Sequence, residues 1–327
     1  MKKIVALFLT LALMLSCVSA LADGITLKVG FSEAETSQTA QVFKGIIERV
    51  AERTEGRVTL EPYYTNALGS INDSIEQISM GGNIIVSTSS EAWAAYGNYD
   101  LNALNMMYVF GSTDEVAAFN ESALWKEMTD KLAAEGGIQL LCMNWAAAPR
   151  VVLANKAINS VEDLKGLLIR VPGSTYAKFF EALGASPVSG IPFAEVYQNI
   201  ESGVIEAAEA PFATLSDYSV QEVAKYAFCT EHTYAAACWG TSTDIWNMIS
   251  AEDQAVIVEE ITAGGAEFTA MCAASNADYI KKMEEAGVTV VYPSDADKVA
   301  MSEAAAKCFE DPQLSEGLLA KIKENCK

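Results

Sequence analysis

The sequence predicts a two-lobed α/β protein, and three observations carry that expectation. Strand-like alternation and helix-like periodicity follow one another along most of the chain, as they do where sheets are flanked by helices. The 327 residues suffice for one large core or for two lobes of ordinary domain size. Two extended runs and one unusually long helical pattern lie where a chain would pass from lobe to lobe.

The first 22 residues form a targeting segment, with Lys2 and Lys3 before an apolar run at 4–15 and a small-residue cleavage site at Ala20-Leu21-Ala22. That run is too short to be a membrane span. Cys17 offers a second reading, a lipidated cysteine that anchors the chain to the cell surface. Both readings place the protein outside the cytoplasm, in the periplasm or at the extracytoplasmic surface. Removal of the segment takes two lysines and no acid from a chain whose net charge is −21. Such acidity excludes a nucleic-acid partner, which requires a basic footprint. It leaves a small ligand open, because one buried site can be locally positive on a negative protein. Six cysteines remain after cleavage, with no CxxC spacing, and a core of this size holds them as buried thiols.

In the first lobe, alternation at Ile25, Leu27 and Val29 predicts a strand, and Val42, Phe43, Ile46, Ile47 and Val50 predict a helical face. A second strand follows at 58–63, a helix through Ile71, Ile75 and Ile78, and a third strand at 84–86. The alternation implies a parallel sheet, with ligands beyond the carboxyl ends of its strands. Ser89, in the run that ends the third strand, is therefore a candidate cleft residue. Residues 99–110 form an apolar connection, 114–135 a single helix, and 138–143 a strand that leads to Trp145.

After Pro149-Arg150 the chain crosses into the second lobe. An apolar strand there ends at Arg170, directly before Val171-Pro172-Gly173-Ser174, so a cation faces whatever lies beyond the strand. A short helix, a Gly184-Ala185 turn, a second helix and a small-residue strand follow, closing on Glu209-Ala210-Pro211. An extended run at 226–241 crosses back. Ser250 and Asp253 open a helix that reaches residue 285 and spans both lobes. The predicted lobes are 23–147 with 236–275, and 148–235 with 276–327.

Arg150 and Arg170 point to an anionic ligand, since a guanidinium binds a carboxylate through two parallel hydrogen bonds that lysine cannot copy. Phe193, Trp145 and Tyr234 are candidate apolar walls of the site. The single histidine, His232, rules out a histidine metal cluster, and neither GxGxxG, a P-loop nor GxSxG occurs. No cofactor, metal or catalytic residue is expected, and His232 reads as a satisfied structural histidine.

Taken in order, these residues closely resemble the extracytoplasmic solute receptors of TRAP (tripartite ATP-independent periplasmic) transporters, of the dicarboxylate and sialic-acid type. The likeness rests on Thr54-Glu55-Gly56-Arg57-Val58, Leu68-Gly69, Asn155-Lys156-Ala157-Ile158, Glu162-Asp163-Leu164-Lys165-Gly166, Ile169-Arg170-Val171-Pro172, Leu183-Gly184-Ala185, Pro192-Phe193 and Glu195-Val196-Tyr197. It implies a periplasmic-binding-protein-like fold, each lobe a mixed sheet flanked by helices, closing about a hinge on an organic acid. It further implies a monomer that delivers the acid to permease membrane subunits driven by an ion gradient. Arg170 would hold the ligand carboxylate, Arg150 would assist it, Phe193 would pack on the ligand, and Glu209 is retained. Ala210 stands where the family carries a carboxylate-holding asparagine, Ala208 where it carries a glutamine, Ile84 where an aspartate is common and Met107 where proline is usual. Specificity is therefore to be sought at Ala210. The alternatives are a receptor for a non-acid ligand, a ligand sensor, and an exported hydrolase built on His232.

Overall fold

The computed structural model describes residues 24–326, so the targeting segment and Cys17 lie outside the described residues. The chain begins with β1 (Ile25–Gly30), α1 (Gln38–Arg53), β2 (Val58–Tyr63), α2 (Ile71–Ser79) and β3 (Ile84–Ser89). It goes on through α3 (Ser90–Ala94), a 3-10 turn (Tyr99–Asn105), α4 (Thr113–Asn120), α5 (Ala123–Gly136) and β4 (Ile138–Ala146). The segment predicted as one helix over 114–135 is two. Ser122 breaks it by accepting the Trp125 amide and capping α5, a local bond that competes with helix continuation.

The chain continues through β5 (Val151–Ala154), β6 (Leu168–Arg170), α6 (Ser174–Ala182), β7 (Ser186–Val188), α7 (Val196–Glu201), β8 (Ala207–Ala210), α8 (Phe212–Asp217) and β9 (Tyr226–Phe228). The chain then returns through β10 (Ala236–Ser242), α9 (Thr243–Trp246) and α10 (Ala251–Glu285), and ends in β11 (Thr289–Val291), α11 (Asp295–Cys308) and α12 (Leu318–Glu324).

Each lobe is built on one sheet. The first has the strand order β2-β1-β3-β10-β4 and the second β11-β9-β5-β8-β6-β7. β1 runs parallel to β2 and β3, as the alternation predicted, but β10 is antiparallel to both β3 and β4. Likewise β5 is antiparallel to β8 and β9. Both exceptions are strands that enter a lobe from the other one, so each arrives at its sheet without a crossover helix to fix a parallel direction. Hydrophobic cores cover both faces of each sheet. Phe43, Trp145 and Trp239 lie on one face of the first, and Trp93, Phe110 and Phe119 on the other. In the second, Ile169, Phe179 and Phe180 oppose Leu153, Phe212 and Leu215.

Residues 147–150 and 229–235 cross between the lobes side by side. The Ala147 amide donates to the Ala235 carbonyl at 3.0 Å, and the Arg150 amide to the Thr233 carbonyl at 3.3 Å. α10 is the third connection, packing on β4 and α1 in one lobe and on α8 and β11 in the other. Its Gly264 and Gly265 permit close approach to β4, because a Cβ at Gly265 would lie 2.3 Å from the Asn144 Oδ1.

Within residues 276–327, α11 packs on α6, whereas Leu318, Ile322 and Cys326 lie in a core cluster beside the first sheet. These three residues recur at helical spacing and form one apolar stripe. The chain is turned back toward the first lobe where the Ser315 amide and hydroxyl both donate to Asp100, at 2.8 and 2.7 Å. The 99–110 connection also bridges, with Met106 and Met107 in the second lobe's core and Val109 and Phe110 in the first's. All six described cysteines are free and buried. Among the described residues, no helix is long and apolar enough to cross a membrane.

Candidate functional site

Two cavities lie along the seam between the lobes. One, of about 310 Å³, is bounded by Glu33, Ser87, Thr88, Ser89, Trp145 and Asn105. The other, of about 330 Å³, is bounded by Glu91, Arg150, Gly173, Ser174, Tyr176 and again Asn105. Asn105 belongs to both walls, so they are chambers of one cleft. The first lobe supplies hydroxyls, an amide and two acids; the second supplies a guanidinium and the start of a helix. Ser87 to Ser89 reach the cleft because they end β3, a parallel strand, where the alternation placed them.

Arg150 sits just before β5, and β5 pairs with β8 so that Val152 is opposite Glu209. The Arg150 Nε donates to one carboxylate oxygen of Glu209 at 2.5 Å and Nη2 donates to the other at 2.7 Å. Nη2 also donates to the Glu209 carbonyl at 3.0 Å, and the guanidinium carbon lies 5.2 Å from the centre of the Tyr176 ring. Burial alone would raise the Glu209 carboxyl. The charge of Arg150 and the bond from His232 outweigh it, and hold the group below the ordinary carboxylate range.

His232 completes this cluster from the returning segment. Its Nε2 is 3.1 Å from Glu209 Oε2 and its Nδ1 is 2.7 Å from the Thr230 hydroxyl. An ionised carboxylate only accepts, so Nε2 carries the proton, and the Thr230 hydroxyl donates to Nδ1. Burial lowers the imidazole's pKa despite the neighbouring carboxylate, so the ring is neutral. Phe179 stacks on it at 5.8 Å, with Phe180 and Tyr176 edge-on. The ring has no solvent exposure, and both of its nitrogens are engaged.

Arg170 ends β6, opposite Ala208 in parallel register. Its neighbour Ile169 belongs to the Phe179 face of the sheet, so Arg170 lies on the face that holds Ala208 and Ala210. Only 9% of it is exposed. Its Nε donates to the Ile191 carbonyl at 2.9 Å, and Phe193 packs against the guanidinium at 5.2 Å. Its two terminal nitrogens make no hydrogen bond or ion pair among the described residues. Burial, then the nearby Arg150, lowers its pKa, with Glu209 opposing.

The structure pairs Arg150 with Glu209, and Arg170 with Phe193, at one end of the second lobe's sheet. Of these four, Arg150 borders one chamber of the cleft, and Ser89 borders the other. Trp145 divides its roles. Its ring lies in the first lobe's core, with Nε1 donating to the Ile261 carbonyl at 2.9 Å, while one edge borders the first cavity. Ala210 is buried in the second lobe's core and offers only a methyl group. Tyr234 is not with the others: it borders a separate cavity and donates to Glu231 at 3.3 Å. Sequence reasoning missed Asn105, Glu91 and Tyr176. Asn105 lies in the apolar connection, and Glu91 directly follows the serine-threonine run, so proximity to that run was the available signal. Among the described residues, no group of His, Cys, Asp and Glu could hold a metal ion.

A family model described as bacterial extracellular solute-binding protein, family 7, matches residues 30–313. The sialic acid-binding periplasmic protein of Vibrio cholerae is 25% identical over 295 residues, which is 87% of this chain and 88% of that one. The 2,3-diketo-L-gulonate-binding periplasmic protein of Escherichia coli is 27% identical over 289 residues, 88% of this chain and 86% of that one. A TRAP periplasmic solute-binding protein from Ochrobacterium anthropi, solved with bound L-fuconate, shares 27% identity with a TM-score of 0.74, covering 93% and 100% of the two chains.

Proposed function

The chain belongs to the bacterial extracellular solute-binding proteins of family 7, and on that premise we propose that its cleft captures a hydroxylated organic acid for a TRAP permease. One observation carries the reading: Arg170 is a buried cation at a strand end whose terminal nitrogens have no hydrogen-bond or ion-pair partner among the described residues. A buried charge is stable only when paired, and a ligand carboxylate supplies the pair. Arg150 supports it at a distance. With Nε and Nη2 committed to Glu209, only Nη1 is free to reach a ligand.

On the second lobe's side, two guanidinium groups and one carboxylate, beside a neutral His232, leave one unit of positive charge, which favours a ligand carboxylate there. Glu91 of the first lobe lines the same chamber as Arg150 and disfavours a second one. The start of α6 adds to the positive charge. Gly173 provides no side-chain cap, so the first amides of that helix face the chamber beside Arg150. The opposite wall of serine, threonine, asparagine and glutamate suits hydroxyl groups. Sialic acid, 2,3-diketo-L-gulonate and L-fuconate, which the relatives' names and the solved complex specify, are hydroxylated acids of this kind.

In the mechanism, the ligand touches both lobes and stabilises the closed arrangement by its differential affinity for it. Closure then strengthens the Arg170–carboxylate bond by removing water. The closed surface is what the permease subunits recognise. The site binds and releases without turnover, since His232 is sealed. The targeting segment, which lies outside the described residues, exports the chain.

A thermal-shift screen of aldonates, uronates and keto acids against the parent neutral sugars tests the reading. Acids alone are expected to raise the melting temperature. In calorimetry, Arg170→Ala should weaken the best acid by about 2–5 kcal/mol, because a desolvated carboxylate loses its partner. Equal binding of neutral sugars, or unchanged affinity in the variant, refutes the assignment.

A further inference from the structure

A third cavity, of about 360 Å³, shares no lining residue with either chamber of the cleft. Three tyrosines, Tyr108, Tyr234 and Tyr292, border it together with Glu231, Thr230 and Lys298. Glu231 makes no ion pair among the described residues and accepts only from the Tyr234 hydroxyl. Lys298 lies 3.9 Å from Asp295 on its own helix, a contact between two exposed side chains. The cavity therefore offers three tyrosine side chains and a carboxylate with no ion pair among the described residues, with one exposed lysine at its edge. Tyr292 is 61% exposed, so its ring is accessible to an occupant.

The backbone here is held in an uncommon form. Tyr108 and Glu231 both have left-handed φ values, 55° and 45°, which cost a side-chain-bearing residue energy. The surroundings maintain them. The Tyr108 amide donates to the His232 carbonyl at 2.8 Å, and its hydroxyl to the Thr230 carbonyl. The strained geometry turns Glu231 outward to the cavity while His232, the next residue, turns into the core.

We propose that this cavity is a second ligand site, taking a small organic ammonium compound whose cationic head lies against the tyrosine rings and Glu231. Ring faces attract such cations through their quadrupole, and a carboxylate fixes the charge. Neutral sugars and free carboxylates lack the charge the site requires. The site lies on the crossing segment 229–235, whose Thr233 and Ala235 carbonyls bond the other crossing segment. An occupant thus contacts the same strand that must flex when the lobes close, and its binding is linked to that of the cleft ligand in both directions.

The test uses choline chloride and tetramethylammonium chloride against sodium chloride at equal ionic strength. Both ammonium salts are expected to raise the melting temperature of the full chain saturably, in step with log concentration, while sodium does not. Glu231→Gln and Tyr292→Ala alter exposed side chains, so both should fold. Each is expected to weaken choline roughly tenfold while leaving the response to acids in the cleft intact. The acid response of Arg170→Ala is a separate matter, and that variant should bind choline as the parent does. No saturable rise at millimolar choline, or a rise that survives in both Glu231→Gln and Tyr292→Ala, overturns the proposal.

Discussion

Glu209 is a fully buried carboxylate, and its stability depends on two donors from distant parts of the chain. Removing Arg150 would strand a buried charge, and removing His232 would cost a bond and a stacked ring. The neutral state of His232 gives a pH prediction. Its pKa is lowered from 6.5 in the folded protein, so the unfolded chain binds the proton more readily. Stability is then full above about pH 6.5 and falls as pH drops below it, by up to about 1.4 kcal/mol per pH unit. The groups that face the ring are Glu209, Arg150, Tyr176 and Thr230, and Glu209 itself, also lowered, adds a loss only at still lower pH. His232→Gln keeps a donor for Glu209 but cannot titrate. Thermal melts at pH 7.0 and 5.5 should show a smaller drop for this variant than for the parent; equal drops would remove His232 as the cause. The two arginines were legible in the sequence, as cations beside strands. Their different states were not, because the Arg150–Glu209 pair joins residues that only the β5–β8 register brings together.

At the scale of elements, local chemistry decided what could be foreseen. Strands and amphipathic helices with an apolar stripe, such as α1, followed from periodicity. The break between α4 and α5 did not, although Ser122 is a good capping residue, because the apolar pattern continues across it. The direction of β10 was illegible for a different reason: it depends on where the chain re-enters the first lobe, which no local pattern encodes. The length of α10 was legible from its cap and its pattern, but the role of its two glycines was not. Packing explains them. In Gly265→Ala the new Cβ would meet the whole Asn144 side-chain amide, whose Nδ2 donates to the Thr262 carbonyl at 2.8 Å. Alanine's better helix propensity is worth about 1 kcal/mol, less than the cost of overpacking and of disturbing that bond. A net loss of about 1–2 kcal/mol is expected in denaturant unfolding. A stabilised variant would show that α10 can move off β4 at little cost.

At the scale of the whole molecule, the crossing segments and α10 are not the only connections between the lobes. The C-terminal region spans them as well. Phe309 and Leu314 pack against cores of both lobes, and Leu318 and Ile322 are buried in the first after α11 has packed on the second. The tail therefore ties the two lobes together outside the crossing segments, and a strap so placed is expected to limit how far the cleft opens. A chain ending after Glu310 would expose the floor that Leu318 and Ile322 cover. Two such side chains, each worth about 1.5–3 kcal/mol when buried, imply a loss of roughly 3–6 kcal/mol. The loss should fall on the first lobe, which the tail covers, although the deletion lies beyond the second lobe's last helix. Calorimetric melting of the truncated chain, with the double variant Leu318→Ala/Ile322→Ala as a milder form, distinguishes the cases. If the tail belonged only to the second lobe, the first lobe's transition would stay where it is. A shift of that transition in both forms, with the cleft ligand bound less tightly because the open state is no longer restrained, is the outcome the packing requires.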